Sequence, residues 1–153
     1  MSRLFLAVAC LTFAGCKRTP AYCDQDLSGI WINSSDTHFA YQFRDDGGVV
    51  TGDFRPRAED GGLGKAEEPI TFDLKRSETA LEGVMRSTGK TAGGKTCPVE
   101  FETRVSDCMA KSMQVTVEIS TTVGEDCKRF HFPDGGTPPP AWREYLFQRV
   151  PSQ

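Results

Sequence analysis

Histidine is almost missing from this sequence: His38 and His131 are the only two among 153 residues. A metal site needs convergent ligands, and two isolated imidazoles with no C-x-x-C pair do not supply them. Nucleophile chemistry is equally bare, because no serine or cysteine sits in a G-x-S-x-G setting. Cations are not in excess either, with 18 Lys+Arg against 21 Asp+Glu and a formal net charge of −3. That balance argues against nucleic acid as a partner, since such binders cluster cations to displace counterions from phosphate. No segment carries a persuasive helical period, and no internal repeat is present. These absences leave no catalytic residue, metal or cofactor to assign, and the chain is not expected to be an enzyme.

What is present starts with Arg3, the apolar run Leu4 to Phe13, and then Ala14-Gly15-Cys16. This is the layout of a secretory leader, and its apolar core is too short to cross a bilayer as a stable helix. Phe13-Ala14-Gly15-Cys16 resembles the lipobox of bacterial lipoproteins, in which the cysteine thiol is diacylated and the leader ahead of it is removed. The resemblance implies a signal peptide over residues 1–15, lipidation (palmitate) at Cys16, a lipidated tether over 16–26 and a folded domain over 27–150. Removing the leader takes Arg3 with it, so no polybasic route to the membrane exists. Attachment then rests on the acyl chains, and two or more chains make a stable anchor where one is marginal. Lys17 follows the cysteine, and a non-aspartate there resembles the pattern passed on to the outer membrane. The expected location is the bacterial cell envelope, at the outer membrane.

Beyond the tether, segments of alternating hydrophobicity are separated by turn residues at short, regular spacing. That pattern predicts an all-β domain. Eight strands are expected: Leu27–Asn33, Thr37–Arg44, Val49–Phe54, Ile70–Lys75, Ala80–Ser87, Pro98–Val105, Ser112–Thr121 and Arg143–Val150. The clearest sets Met113, Val115, Val117 and Ile119 against Gln114, Thr116, Glu118 and Ser120, a period of two with one buried and one wet face. On the same rule Glu100, Glu102 and Glu118 belong on the solvated face. Asp45-Asp46-Gly47-Gly48 supplies the positive φ that a tight hairpin needs. Glu59 to Glu68 reads as a mobile surface loop, and Pro133 to Pro140 as an extended one that cannot supply a sheet's donors. Gly89 to Thr96 fits the phosphate-loop pattern G-x-x-x-x-G-K-[ST]. It precedes strand-like Val99-Glu100-Phe101 rather than a helix, so it reads as the hairpin between strands five and six.

Eight strands joined in sequence predict an antiparallel up-and-down barrel, which removes exposed edges by closing on itself. In such a barrel successive strand ends alternate between two rims. Cys23 and Cys108 fall at one rim, and Cys97 and Cys127 at the other. In an oxidising compartment these four cysteines are expected to form two disulfides. Bridges 23–108 and 97–127 are allowed, whereas 23–97 and 23–127 would cross the barrel's height.

Leu27-Ser28-Gly29-Ile30-Trp31-Ile32-Asn33 opens the first strand, and Tyr145-Leu146-Phe147-Gln148-Arg149-Val150 closes the last. A first-strand Gly-x-Trp with a last-strand Arg resembles the signature of the calycin barrels, the lipocalins and avidins. The resemblance implies a calycin-like barrel in which Arg149 packs over Trp31 and shuts the floor. Over Leu27 to Phe54 the chain is most similar to the first three avidin strands. By that likeness Asn33, Thr37, Tyr41 and Phe54 are the candidate ligand-binding residues, with Asn33 and Thr37 where avidins hold an ureido group. Phe54 stands where avidins place a tyrosine, and the tryptophans that box biotin have no counterparts. The likeness therefore implies the barrel rather than biotin.

The function these readings lead to is a lipid-anchored envelope lipoprotein whose lipocalin-like barrel takes a small apolar or amphipathic ligand. An alternative is a periplasmic protein-binding module or enzyme inhibitor acting through rim loops, with Pro133 to Trp142 as the candidate loop. A cavity open at one rim favours the first, and a filled interior with an exposed Trp142 favours the second. Expressed in a bacterial host, the protein is expected to carry an acyl mass on Cys16, and Cys16→Ser is expected to lose it and leave the membrane fraction. Intact mass spectrometry of detergent extracts provides the check.

Overall fold

In the computed structural model, the described residues are 23–77, 80–120 and 122–151. Cys16 and the leader lie outside them. The order is β1 (Gly29–Asn33), β2 (Asp36–Asp45), β3 (Val49–Pro56), β4 (Thr71–Arg76), β5 (Leu81–Lys90), β6 (Thr96–Ser106), β7 (Ser112–Glu118) and β8 (Trp142–Arg149). Each strand pairs antiparallel with the next, and β8 returns to β1, so the sheet is a closed eight-stranded up-and-down barrel. Every expected strand is present, with ends displaced by a few residues.

The alternation that marks the strands also builds the core. Tyr41 and Phe43 from β2, Phe72 and Leu74 from β4, and Met113, Val115 and Val117 from β7 all point inward and are buried. Two glycines let the sheet draw close around these rings. A Cβ on Gly52 would lie 2.6 Å from the Phe43 ring, and one on Gly83 would lie 2.1 Å from the Asp73 carbonyl oxygen of the neighbouring strand.

One rim is a sealed floor. The Trp31 indole donates from Nε1 to the Leu27 carbonyl at 2.8 Å, and the Arg149 guanidinium lies 4.8 Å above the ring centroid. Arg149 also donates to the Asp26 carbonyl. Stacking on an indole while satisfying carbonyls suits a planar guanidinium. The buried Asp45 carboxylate pairs with Arg76 and accepts from the Leu27 amide at 3.0 Å. Cys23 bonds to Cys108 here, with Cα atoms 4.7 Å apart. At the opposite rim Cys97 bonds to Cys127, with Cα atoms 5.3 Å apart. These are the two pairings that alternating rims allow. By the chain-entropy view each long closed loop contributes about 4 kcal/mol.

Three expectations are corrected. Glu118 does not face solvent: it is 2% exposed, accepts from the Ser120 amide at 2.7 Å and pairs with Arg129 at 3.3 Å. β7 ends at Glu118 rather than Thr121, and the following chain turns back over that end through a short hairpin bridged at Val123 and Arg129. Ile119, freed from the strand's alternation, is 40% exposed. The Glu59 to Glu68 stretch is an exposed surface loop, held at one point where Leu63 bridges Arg57 and the Gly64 amide donates to the Pro56 carbonyl.

Because the Gly83 site is bounded by backbone, Gly83→Ala is expected to cost about 3 kcal/mol by overpacking. Urea unfolding of the two forms measures it.

Candidate functional site

The interior is not uniform from rim to rim. Near the floor it is filled by Trp31, Phe43, Leu74, Leu81, Val105 and Met113. Toward the other rim it opens into a cavity of about 340 Å³. Phe72, Val115 and Phe147 line it from the core side, and Ile70, Met85 and Val117 line its walls. Its polar groups come from the β1–β2 connection (Asn33, Ser35, Asp36) and from Tyr41 and Tyr145. Such a concave, mostly apolar space with a few polar groups is what small-molecule sites look like.

The Tyr41 ring is the best-held member of the lining. It stacks on Phe147 with centroids 4.9 Å apart at 11°, and forms a T-shaped pair with Phe72 at 5.3 Å. Offset and edge contacts of this kind fix a ring's orientation. Among the described residues no hydrogen bond reaches the Tyr41 or Tyr145 hydroxyl. Burial first, and then the neighbouring Tyr145 and Asp36, push the Tyr41 phenol well above the ordinary tyrosine range. Asn33 is 8% exposed and uses its side-chain oxygen to accept from the Ser35 amide at 2.9 Å, which shapes the tight β1–β2 turn.

Of the four residues suggested by the avidin likeness, Asn33 and Tyr41 line the cavity and Thr37 and Phe54 do not. The register explains Thr37. Ile32 pairs with Ala40, yet Asn33 pairs with Asp36, so residues 37–39 have no β1 partner. Thr37 thus stands past the end of β1 and is exposed. Phe54 stands behind Tyr41, with ring centroids 5.6 Å apart, and lines an outer groove with Phe39, Pro56, Lys65 and Ile70.

Tyr145, Ile70, Ser35 and Asp36 were not singled out from the sequence. Tyr145 and Phe147 had a signal: they share the parity of Arg149, so an inward Arg149 implies that both are inward. Ser35 and Asp36 had none, because a turn's shape decides where they point.

The Gly89–Thr96 segment forms the β5–β6 hairpin, with the Thr91 amide donating to Lys95 at 2.9 Å. Its loop is occupied by Glu125, which accepts from the Gly93 amide at 2.7 Å and the Thr91 hydroxyl at 2.9 Å. With the Cys97–Cys127 bond, this fastens the 122–130 hairpin to the rim. Beyond it, Phe130 and Phe132 are exposed, their rings edge-to-face at 5.6 Å. Trp142 is partly exposed and covered on one face by Arg104, 4.8 Å from the ring centroid. His38 and His131 are both exposed and lie apart from the cavity lining. Among the described residues no three His, Cys, Asp or Glu side chains gather as a metal site would require.

Compared with known proteins, the chain matches no family model, no curated protein and no solved structure.

The raised Tyr41 phenol sets a sign for alkaline stability. The folded chain retains a proton that the unfolded chain releases near pH 10. This contribution is complete below that pH and declines as pH rises above it. Tyr41→Phe is therefore expected to flatten the alkaline fall in stability, as read by urea unfolding at about pH 9 and about pH 11.

Proposed function

We propose that this chain is a lipid-anchored envelope lipoprotein whose calycin-like barrel holds a small apolar or amphipathic ligand at its open rim. The observation that carries the reading is the cavity of about 340 Å³, lined by apolar walls above a filled core. Its size falls at the lower end of small-molecule sites, which suits a compact ligand rather than a long acyl chain. The clasp of Trp31 and Arg149 closes the floor, so entry is from one end. The tether reaches the barrel at Cys23, on the floor rim, and the mouth therefore opens at the end opposite the attachment.

The alternative, a protein-binding module, draws on the exposed Phe130 and Phe132 at the base of the proline-rich loop. Trp142, the anchor that reading needs, already has one face covered by Arg104. The hollow rim favours the small ligand.

A fluorescent apolar probe, N-phenyl-1-naphthylamine, is expected to brighten on binding the protein. Ile70→Trp and Met85→Trp, which fill the cavity from its walls, are each expected to weaken the probe by at least about tenfold. Equal brightening in wild type and both variants, with folding verified by circular dichroism, overturns the reading.

A further inference from the structure

The lining of the cavity is chemically lopsided. Five aromatic residues line it, Phe39, Tyr41, Phe72, Tyr145 and Phe147, and among the described residues its sole charged lining residue is Asp36. Among the described residues no lysine, arginine or histidine lines it. The adjoining outer groove brings one lysine, Lys65, together with Glu67 and Glu68, so the approach is acidic as well.

We infer that the cavity selects an organic ammonium ion with a compact apolar body, its cationic head set among the aromatic rings and Asp36. This rests on reading the cavity as a ligand site and names the class of ligand it takes. A cation leaving water must recover its lost hydration, and aromatic π-faces and a carboxylate both supply negative potential for it. An anion of the same size meets the reverse, since Asp36 sets a like charge at the entrance and the lining offers it no cation. The phenol hydroxyls of Tyr41 and Tyr145, which no described protein group engages, offer lone pairs to an ammonium N–H. Burial keeps the Tyr41 phenol protonated, so it stays a neutral dipole and adds no second charge.

Asp36 can be tested without endangering the fold. It is exposed, and its Oδ1 accepts from the His38 amide at 3.0 Å, a bond that an asparagine oxygen also accepts. Phenethylamine, 2-phenylethanol and phenylacetate share a ring and nearly one size but carry positive, zero and negative charge at neutral pH. Each is titrated against protein loaded with the naphthylamine probe. Phenethylamine is expected to displace the probe at about tenfold lower concentration than 2-phenylethanol, the advantage a desolvated cation–π contact gives, with phenylacetate weakest. In Asp36→Asn the amine's advantage over the alcohol, measured as the ratio of the two in the same variant, is expected to shrink to about threefold or less. If the alcohol or the carboxylate displaces as well as the amine, or if the bound probe yields to none of them, the ammonium assignment falls while the cavity reading stands. An amine preference that survives intact in Asp36→Asn overturns the role given to Asp36. If the probe itself does not bind, the cavity reading falls and takes this inference with it.

Discussion

The seam between the first strand and the last is the constraint on which the rest of this molecule depends. A sheet becomes a barrel only if its two edges find each other, and here they meet over a short stretch. Trp31 pairs with Arg149, Ile32 with Gln148 and Asn33 with Phe147. Backbone bonds from Ser34 to Leu146 and from Val150 to Ile30 extend the seam at either end. So short a ladder gains from a side-chain clasp, and Arg149 over the Trp31 indole provides it where the seam reaches the floor. Without that closure both edges would be open for pairing with other chains, and the cavity would have no fourth wall.

Closure at one end and a hollow at the other follow from how side-chain bulk is distributed along the strands. Trp31, Phe43 and Leu74 fill the cross-section near the floor. Nearer the mouth Val115, Val117 and Met85 stand among the rings of Tyr41, Phe72, Tyr145 and Phe147, and the space these side chains leave unfilled is the cavity. This division separates two jobs in one core: the packed end supplies stability, and the looser end supplies room. The two disulfides respect this division. Cys23–Cys108 pins the entering chain to the floor, and Cys97–Cys127 holds the 122–130 hairpin to the mouth.

Much of the barrel was legible because strands with one wet face announce themselves by a period of two. Met113, Val115 and Val117 state it plainly, as do Tyr41 and Phe43. The alternation then ordered the rims, and the rims ordered the cysteines. Legibility failed where the chain left the ladder. Glu118 obeys the alternation yet is buried, where the 122–130 hairpin lays Arg129, eleven residues on, against it. Thr37 has the right parity to reach the interior, but the register shift after Ile32 leaves it beyond the end of β1. Of the cavity's polar members, Asn33 and Tyr41 were visible as strand residues, whereas Ser35 sits in a turn and Asp36 at the strand end just after it, where no periodicity encodes direction.

By itself the sequence determined the strand count, the inward set on most strands and which cysteines can meet, since each follows from local alternation and from counting reversals of direction. The tertiary structure alone decided that the interior is filled at one end and open at the other, and which polar groups stand at the opening. Those outcomes depend on register, on side-chain volumes summed across eight strands and on how the long connections fold back. None of these is a property of any one segment.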